Sequence, residues 1–222
     1  MRRRLLPAAA LVLAACSGGP EGAAPDPVAL LGQARATMAT VETASFEMTR
    51  EGAPVTIEGF EFTSAVGRYQ APASAEAVLQ VRAGDITVQL GTISIDERTW
   101  LTNPLTGRWE ELTPGSGFNP AVLFDPHAGW VALLRDLTGV SFVATEGSAH
   151  HLTATVPPAR VEVLTAGFAA AQSVPIDLWL DESTGHIRRL ELSTSGDAGV
   201  SDWTITLSGY DESVDIEPPA VG

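Results

Sequence analysis

Alternation of apolar and polar side chains runs through two long parts of this chain and constrains its fold more than any other feature. Over residues 45–112 apolar side chains recur at every second position, and turn signals stand at residues 84–85, 96–98 and 106–107. The alternation returns over residues 176–207. A period of two is typical of strands that bury one face. The pattern therefore predicts a large antiparallel sheet with one apolar face.

Helical signals interrupt this alternation. Asp26-Pro27 has the residues of an N-cap and a first helical turn, and apolar residues follow at helical spacing. Asn119-Pro120 and Asp125-Pro126 predict two short helices in series, because a proline cannot continue the helix before it. A further helix is expected over residues 159–171, after two strands within residues 140–156. We predict an α+β domain whose helices gather on one face of the sheet.

The N-terminal segment predicts export. Three arginines precede a nine-residue apolar run that ends in small residues before Cys16, the single cysteine, which is the pattern of a secretory signal. Spanning a membrane takes about 20 apolar residues, so this run is too short. Leu13-Ala14-Ala15-Cys16 resembles the lipobox of bacterial lipoproteins, which implies an acylated cysteine; an ordinary secretory signal is the alternative. We predict a signal peptide over residues 1–15, an acylated N-terminus and flexible tether over 16–26, and one domain over 27–222.

This segmentation fixes the expected location and the charge of the mature protein. It would be extracytoplasmic and lipid-anchored to the outer face of the cell membrane. The chain has no lysine, and without the signal it keeps 10 arginines against 27 acidic residues, a formal charge of −17. Such a surface repels phosphate backbones, so nucleic acid is not an expected partner. The lone cysteine excludes an intrachain disulfide and a thiolate metal cluster.

Candidate reactive residues do not form a catalytic pattern. His150 and His151 are neighbours in a predicted strand, so their side chains point to opposite faces. The acidic pairs at residues 96–97 and 181–182 stand in predicted turns, where such residues are favoured. The chain has neither a nucleophile elbow nor a phosphate-binding glycine loop. We expect no enzyme activity, no metal and no cofactor.

Five segments, in their order along the chain, resemble the LppX/LprG (LppX_LprAFG) family of bacterial lipid-binding lipoproteins. The most specific is NPAVLFDPHAGWVALL, residues 119–134. The other segments are residues 26–48, 93–112, 174–192 and 208–219. The resemblance implies a strongly bent antiparallel β-sheet, a half-barrel, with helices packed on its concave face as in LolA and LolB. It also implies a hydrophobic cavity that binds di- or triacylated lipid.

Periodicity alone leaves open whether side chains or a ligand fill the space between sheet and helices. With the resemblance, we expect a monomeric, membrane-anchored lipoprotein that binds acylated lipid and carries or transfers it within the cell envelope. An envelope transporter is a candidate partner. The acidity favours a neutral lipid. The residues expected to line the cavity are Leu79, Val81, Val88, Leu90, Ile93, Ile95, Leu101, Leu123, Phe124, Trp130, Val131 and Leu134. A bulge near Gly91 would exchange some of these faces.

Two rival functions use the same fold. One is a MucB-like protein-interaction or envelope-sensing module without a lipid ligand. The other is a filled, purely structural envelope domain. A cavity larger than a packing void would favour lipid binding, and an exposed apolar groove would favour a protein partner.

Overall fold

The computed structural model describes residues 24–57, 60–114, 116–165 and 167–221. The predicted signal peptide, Cys16 and most of the predicted tether lie outside these residues. The helices are α1 (Pro27–Met38), α2 (Trp130–Asp136) and α3 (Pro158–Leu164), with a 3₁₀ helix at Pro120–Phe124. The strands are β1 (Thr43–Gly52), β2 (Thr56–Ile57), β3 (Phe60–Gln70), β4 (Ser74–Ala83), β5 (Ile86–Ile95), β6 (Arg98–Thr102), β7 (Trp109–Glu111), β8 (Thr138–Glu146), β9 (Ala149–Val156), β10 (Val174–Asp181), β11 (Ile187–Gly196) and β12 (Gly199–Ser208).

The strands form one open, curved antiparallel sheet. Its order is β7-β6-β5-β4-β3-β1-β12-β11-β10-β9-β8, and β2 pairs with β3 at the side of this path. The strands β3 to β7 form one half of the sheet and β8 to β12 the other, each in sequence order, so that β7 and β8 lie at opposite edges. Strand β1 joins the two halves by pairing with both β3 and β12. The predicted bent antiparallel sheet is confirmed.

The concave face of the sheet carries the main core, and the helices cover it. Alternate residues of the strands are buried there, such as Phe46 and Met48 in β1. Helix α1 contributes Leu31 and Ala34 and packs against α2. Its predicted N-cap is confirmed, because the Asp26 carboxylate accepts a hydrogen bond from the Val28 backbone N–H at 3.0 Å.

The Asp125-Pro126 signal does not begin a helix, which corrects the sequence prediction. The Asp125 carboxylate accepts hydrogen bonds from the backbone N–H groups of His127 and Ala128, at 2.7 and 2.8 Å. These bonds close a tight turn, and α2 begins only at Trp130. An Asp-Pro pair favours a turn and a helix start for the same reason, since in both cases its carboxylate satisfies free N–H groups.

The predicted helix over residues 159–171 is also shorter than expected. Helix α3 ends at Leu164, and the Thr165 hydroxyl donates to the Val161 carbonyl at 2.9 Å. Gly167 then adopts a left-handed conformation, with φ of 81°, and donates its N–H to the Glu162 carbonyl. A glycine in this conformation terminates helices. Apolar spacing beyond it therefore does not continue the helix.

One carboxylate joins α2 to α3. Asp136 accepts hydrogen bonds from the Arg135 side chain, at 2.7 and 3.1 Å, and from Arg160 Nε at 2.9 Å. These bonds lower the pKa of Asp136 to about 2, and the bond from Arg135 has the largest effect. The charged form of Asp136 therefore stabilises the contact between the two helices.

Candidate functional site

Ten of the twelve predicted cavity residues lie in the main core between sheet and helices. Six of them are buried and four are partly buried. The buried ones are Leu79, Val81, Leu90, Leu123, Trp130 and Leu134, and the partly buried ones are Val88, Leu101, Phe124 and Val131. The structure thus brings these ten together, and their contact with a ligand stays a prediction.

Ile93 and Ile95 lie on the other face of the sheet, which corrects their predicted placement. The pairing of β4 with β5 has no register shift, with Leu90 opposite Leu79 and Ile93 opposite Glu76. Residues three apart in an unbroken strand point to opposite faces. On the convex face Ile93 and Ile95 belong to a second cluster with Trp100 and Ile216.

Most of the concave interior is filled by large side chains. Phe46, Phe62 and Met48 are at most 2% exposed, as are Trp130 and Trp203. Phe124 stacks on Tyr69 with ring centroids 4.1 Å apart, and burial raises the pKa of that tyrosine. These contacts are those of a packed protein interior.

At one end of the concave face the core is less completely covered. Phe62 stacks on Phe168 and on Trp203, with ring centroids 4.4 and 5.8 Å apart, and Phe118 lies 6.2 Å from Phe168. Phe62 is paired with Val81, and Val81 with Val88. The rings of Phe118 and Phe168 are partly exposed, as is Val88. We call Phe62, Val88, Phe118, Phe168 and Trp203 the aromatic mouth.

Arg50 holds the backbone beside this mouth. Its side chain is 3% exposed and forms an ion pair with Glu61. Its Nε donates to the Phe62 carbonyl at 2.7 Å, and one terminal nitrogen donates to the carbonyls of Gly52 and Ala53. A guanidinium has five N–H donors, and these bonds use four of them. Arg50 therefore fixes the chain around the mouth.

An apolar concavity lies on the convex face of the sheet. It has a volume of about 430 Å³, and its walls include Val66, Val78, Ile93 and Trp109. The Trp109 ring lies directly over Gly91, where an added Cβ would come within 2.8 Å of it. Val66 and Val78 are 55% and 47% exposed. We call this the convex pocket; it is open and mostly apolar.

Four of the five residues of the mouth, and the arginine beside it, are absent from the site predicted from the sequence. Phe62 and Trp203 follow the alternation of their strands, so the period of two contained the signal for them. Arg50 follows the buried alternation of Phe46 and Met48, and a charged residue at such a position indicates a buried partner. Phe168 carried no strand signal, because it lies outside the helices and strands.

Across the described ranges, no three His, Cys, Asp or Glu side chains form a group that could hold a metal ion. None of the helices in the described residues combines the length and apolar character needed to cross a membrane. The site consists of apolar side chains, and the Arg50 guanidinium beside them is already bonded within the chain. Such a surface can bind hydrocarbon through burial.

An open, curved antiparallel sheet with helices on its concave face defines a half-barrel domain. Residues 26–216 match the LppX_LprAFG lipoprotein family. The chain belongs to this family.

Solved structures support the same fold. LprF from Mycobacterium bovis is 15% identical, with a TM-score of 0.69 over 89% of this chain and 98% of that chain. Lipoprotein LppX from Mycobacterium tuberculosis is 20% identical, with a TM-score of 0.62 over 87% and 100%. No curated protein sequence matches this chain.

Proposed function

We propose that this protein binds an acylated lipid at the aromatic mouth and carries or transfers it within the cell envelope. Cys16, once acylated, would anchor it to the outer face of the membrane. The observation that carries the proposal is the mouth itself, an aromatic cluster in the concave core in which Phe118 and Phe168 are partly exposed. Membership of a lipoprotein family supports the anchor and the location.

The physical need for such a protein follows from the cost of exposing hydrocarbon to water. Burial of one CH₂ group contributes about 0.8 kcal/mol, so a 16-carbon chain in water carries a penalty of roughly 12 kcal/mol. A lipid that leaves a bilayer needs an apolar container for its chains. The partly exposed residues Phe118, Phe168 and Val88 would form the entrance to one.

The packed interior limits how the lipid binds. Phe62 and Trp203 are almost fully buried, so an acyl chain enters by displacing the partly exposed rings of Phe118 and Phe168. Val88 and Leu101, both partly buried in the main core, would contact the chain first. The deeper predicted residues, such as Leu79, would contact it only if the core rearranges.

A second candidate function is a MucB-like protein-interaction module, and the convex pocket favours it. Exposed apolar concavities commonly mark binding sites. Here Val66 and Val78 are exposed beside the Arg68–Glu76 ion pair, so a partner could bury an apolar side chain between polar contacts.

Matched substitutions to tryptophan separate the two sites. The non-acylated mature chain (residues 17–222) would be purified, and its co-purified lipid measured by mass spectrometry. Val88→Trp fills the mouth and should lower lipid loading several-fold, whereas Val78→Trp fills the convex pocket and should leave loading unchanged. Loss of lipid only in Val78→Trp would move the lipid site to the convex face. A wild-type protein without lipid, including after incubation with vesicles, would refute the lipid proposal.

A further inference from the structure

Trp130 has a buried donor without a partner. Its side chain is 1% exposed, and no group among the described residues accepts a hydrogen bond from its indole Nε1–H. Trp203 is buried to the same extent, but its Nε1–H donates to the Thr194 hydroxyl at 2.9 Å. The two indoles therefore differ in hydrogen bonding and not in burial.

A buried donor of this kind requires an explanation. Buried polar groups in native proteins almost always have a partner, and a buried tryptophan usually finds one for its N–H. Leaving the donor unpaired weakens folding, whereas phenylalanine would fill much of the same space without that cost. An indole at this position is understandable if an acceptor from outside the chain binds it.

Trp130 lies in the same core that the proposed lipid site belongs to. It is the first residue of α2 and follows Gly129. The chain at Gly129 packs closely against the 3₁₀ helix, because a Cβ added there would lie 2.1 Å from the Leu123 carbonyl oxygen. Trp130 belongs to the same continuous core as Leu79, Val88 and the rings of the mouth. A lipid bound through the mouth would lie against this core.

We propose that the Trp130 Nε1–H donates a hydrogen bond to a carbonyl oxygen of the bound lipid, so that the site selects acyl esters over plain hydrocarbon. This proposal rests on the proposed lipid-binding function. An ester carbonyl is a neutral acceptor, and it is present in every acylglycerol and phospholipid. Trp130 is thereby a specificity-determining residue, while the apolar side chains supply most of the affinity.

Two probes of nearly equal length test the proposal. Methyl palmitate has an ester carbonyl, and heptadecane does not. Transfer of each tritiated probe from phosphatidylcholine vesicles to the non-acylated mature chain would be measured after removing the vesicles by centrifugation. Trp130→Phe should weaken binding of methyl palmitate about fivefold, as expected for one hydrogen bond, and change heptadecane binding less than twofold. Trp203→Phe, the matched control, should change both probes equally.

A spectroscopic measurement covers the case in which Trp130→Phe does not fold. In ¹⁵N-labelled wild-type protein the five tryptophans give indole N–H signals. Variants in which single tryptophans are replaced by phenylalanine assign these signals. Methyl palmitate should move the Trp130 proton signal downfield, and heptadecane should not produce this shift.

Each remaining outcome counts against a specific claim. Equal losses of both probes in Trp130→Phe, or no ester-specific shift, would overturn the role of Trp130 while leaving lipid binding intact. Failure of the wild type to take up either probe would instead refute the proposed function.

Discussion

Replacing Arg50 by methionine should be among the most destabilising single changes near the aromatic mouth. Methionine replaces the apolar stem of the arginine side chain but removes the guanidinium and every hydrogen bond that it makes. The Phe62 carbonyl loses a donor at 2.7 Å, and Glu61 loses its ion pair. The Ala53 carbonyl keeps the Ser201 hydroxyl as a donor at 2.8 Å, so its loss is partial.

The expected magnitude follows from these contacts. Breaking a buried ion pair by removing one partner costs about 3–5 kcal/mol, and each buried acceptor left unpaired costs about 1–3 kcal/mol. The Glu61 side chain is 24% exposed, so water compensates part of its loss. We therefore expect Arg50→Met to lower the free energy of unfolding by about 3 kcal/mol.

Urea denaturation of the non-acylated mature chain, followed by circular dichroism, measures this value. Glu61→Gln is the matched control and should cost at most about 1 kcal/mol, because a partly solvated amide still accepts one hydrogen bond. An Arg50→Met protein within 1 kcal/mol of wild type would refute the claim that this guanidinium fixes the chain around the mouth.

Three further predictions concern the domain as a whole. Gly129→Ala should lower the free energy of unfolding by at least about 3 kcal/mol, because its Cβ would meet backbone atoms. Gly32→Ala, which adds a Cβ in open space inside α1, should raise the free energy of unfolding by up to about 1 kcal/mol. Chemical denaturation measures both values. Because the pKa of Asp136 is lowered to about 2, its charged form stabilises the fold above pH 4, and this contribution disappears as the pH falls toward 2. Asp136→Asn should remove about 1 kcal/mol of this pH-dependent stability, which denaturation at pH 2 to 6 measures. Cys16→Ala should abolish labelling by radioactive palmitate without changing the circular dichroism of the domain, and an unacylated mature wild type would contradict the anchor.

The sheet could be predicted from the sequence because its rule is local. Alternation with a period of two requires only that one face is buried, and it located the strands in both halves. Asp26 was likewise predictable as a cap, since the bond to Val28 spans two residues. Such features depend on neighbours in sequence and not on the rest of the fold.

The rest depended on distant contacts. Ile93 and Ile95 alternate with each other as regularly as Val88 and Leu90. Only their packing with Trp100 and Ile216 shows that the convex face also has an apolar cluster. Alternation identifies two faces and does not say which one faces the helices. The mouth was not predictable for a similar reason, because it brings together residues from β3, β5, β12 and two irregular segments.

The hydrogen bonds of Arg50 lead to a last prediction, about the charge of the lipid. Four of its five N–H donors are already bonded within the chain and its charge is paired with Glu61, so this cation has little capacity left for an anionic headgroup. The predicted mature chain carries a formal charge of −17, which would repel such a headgroup. We therefore expect a triacylglycerol to load at the same level in 20 mM and 500 mM salt, and an anionic phospholipid to load poorly at low salt. Mass spectrometry of lipid bound after incubation with mixed vesicles measures both. Tighter loading of the anionic lipid at low salt would show that a free cation takes part in binding.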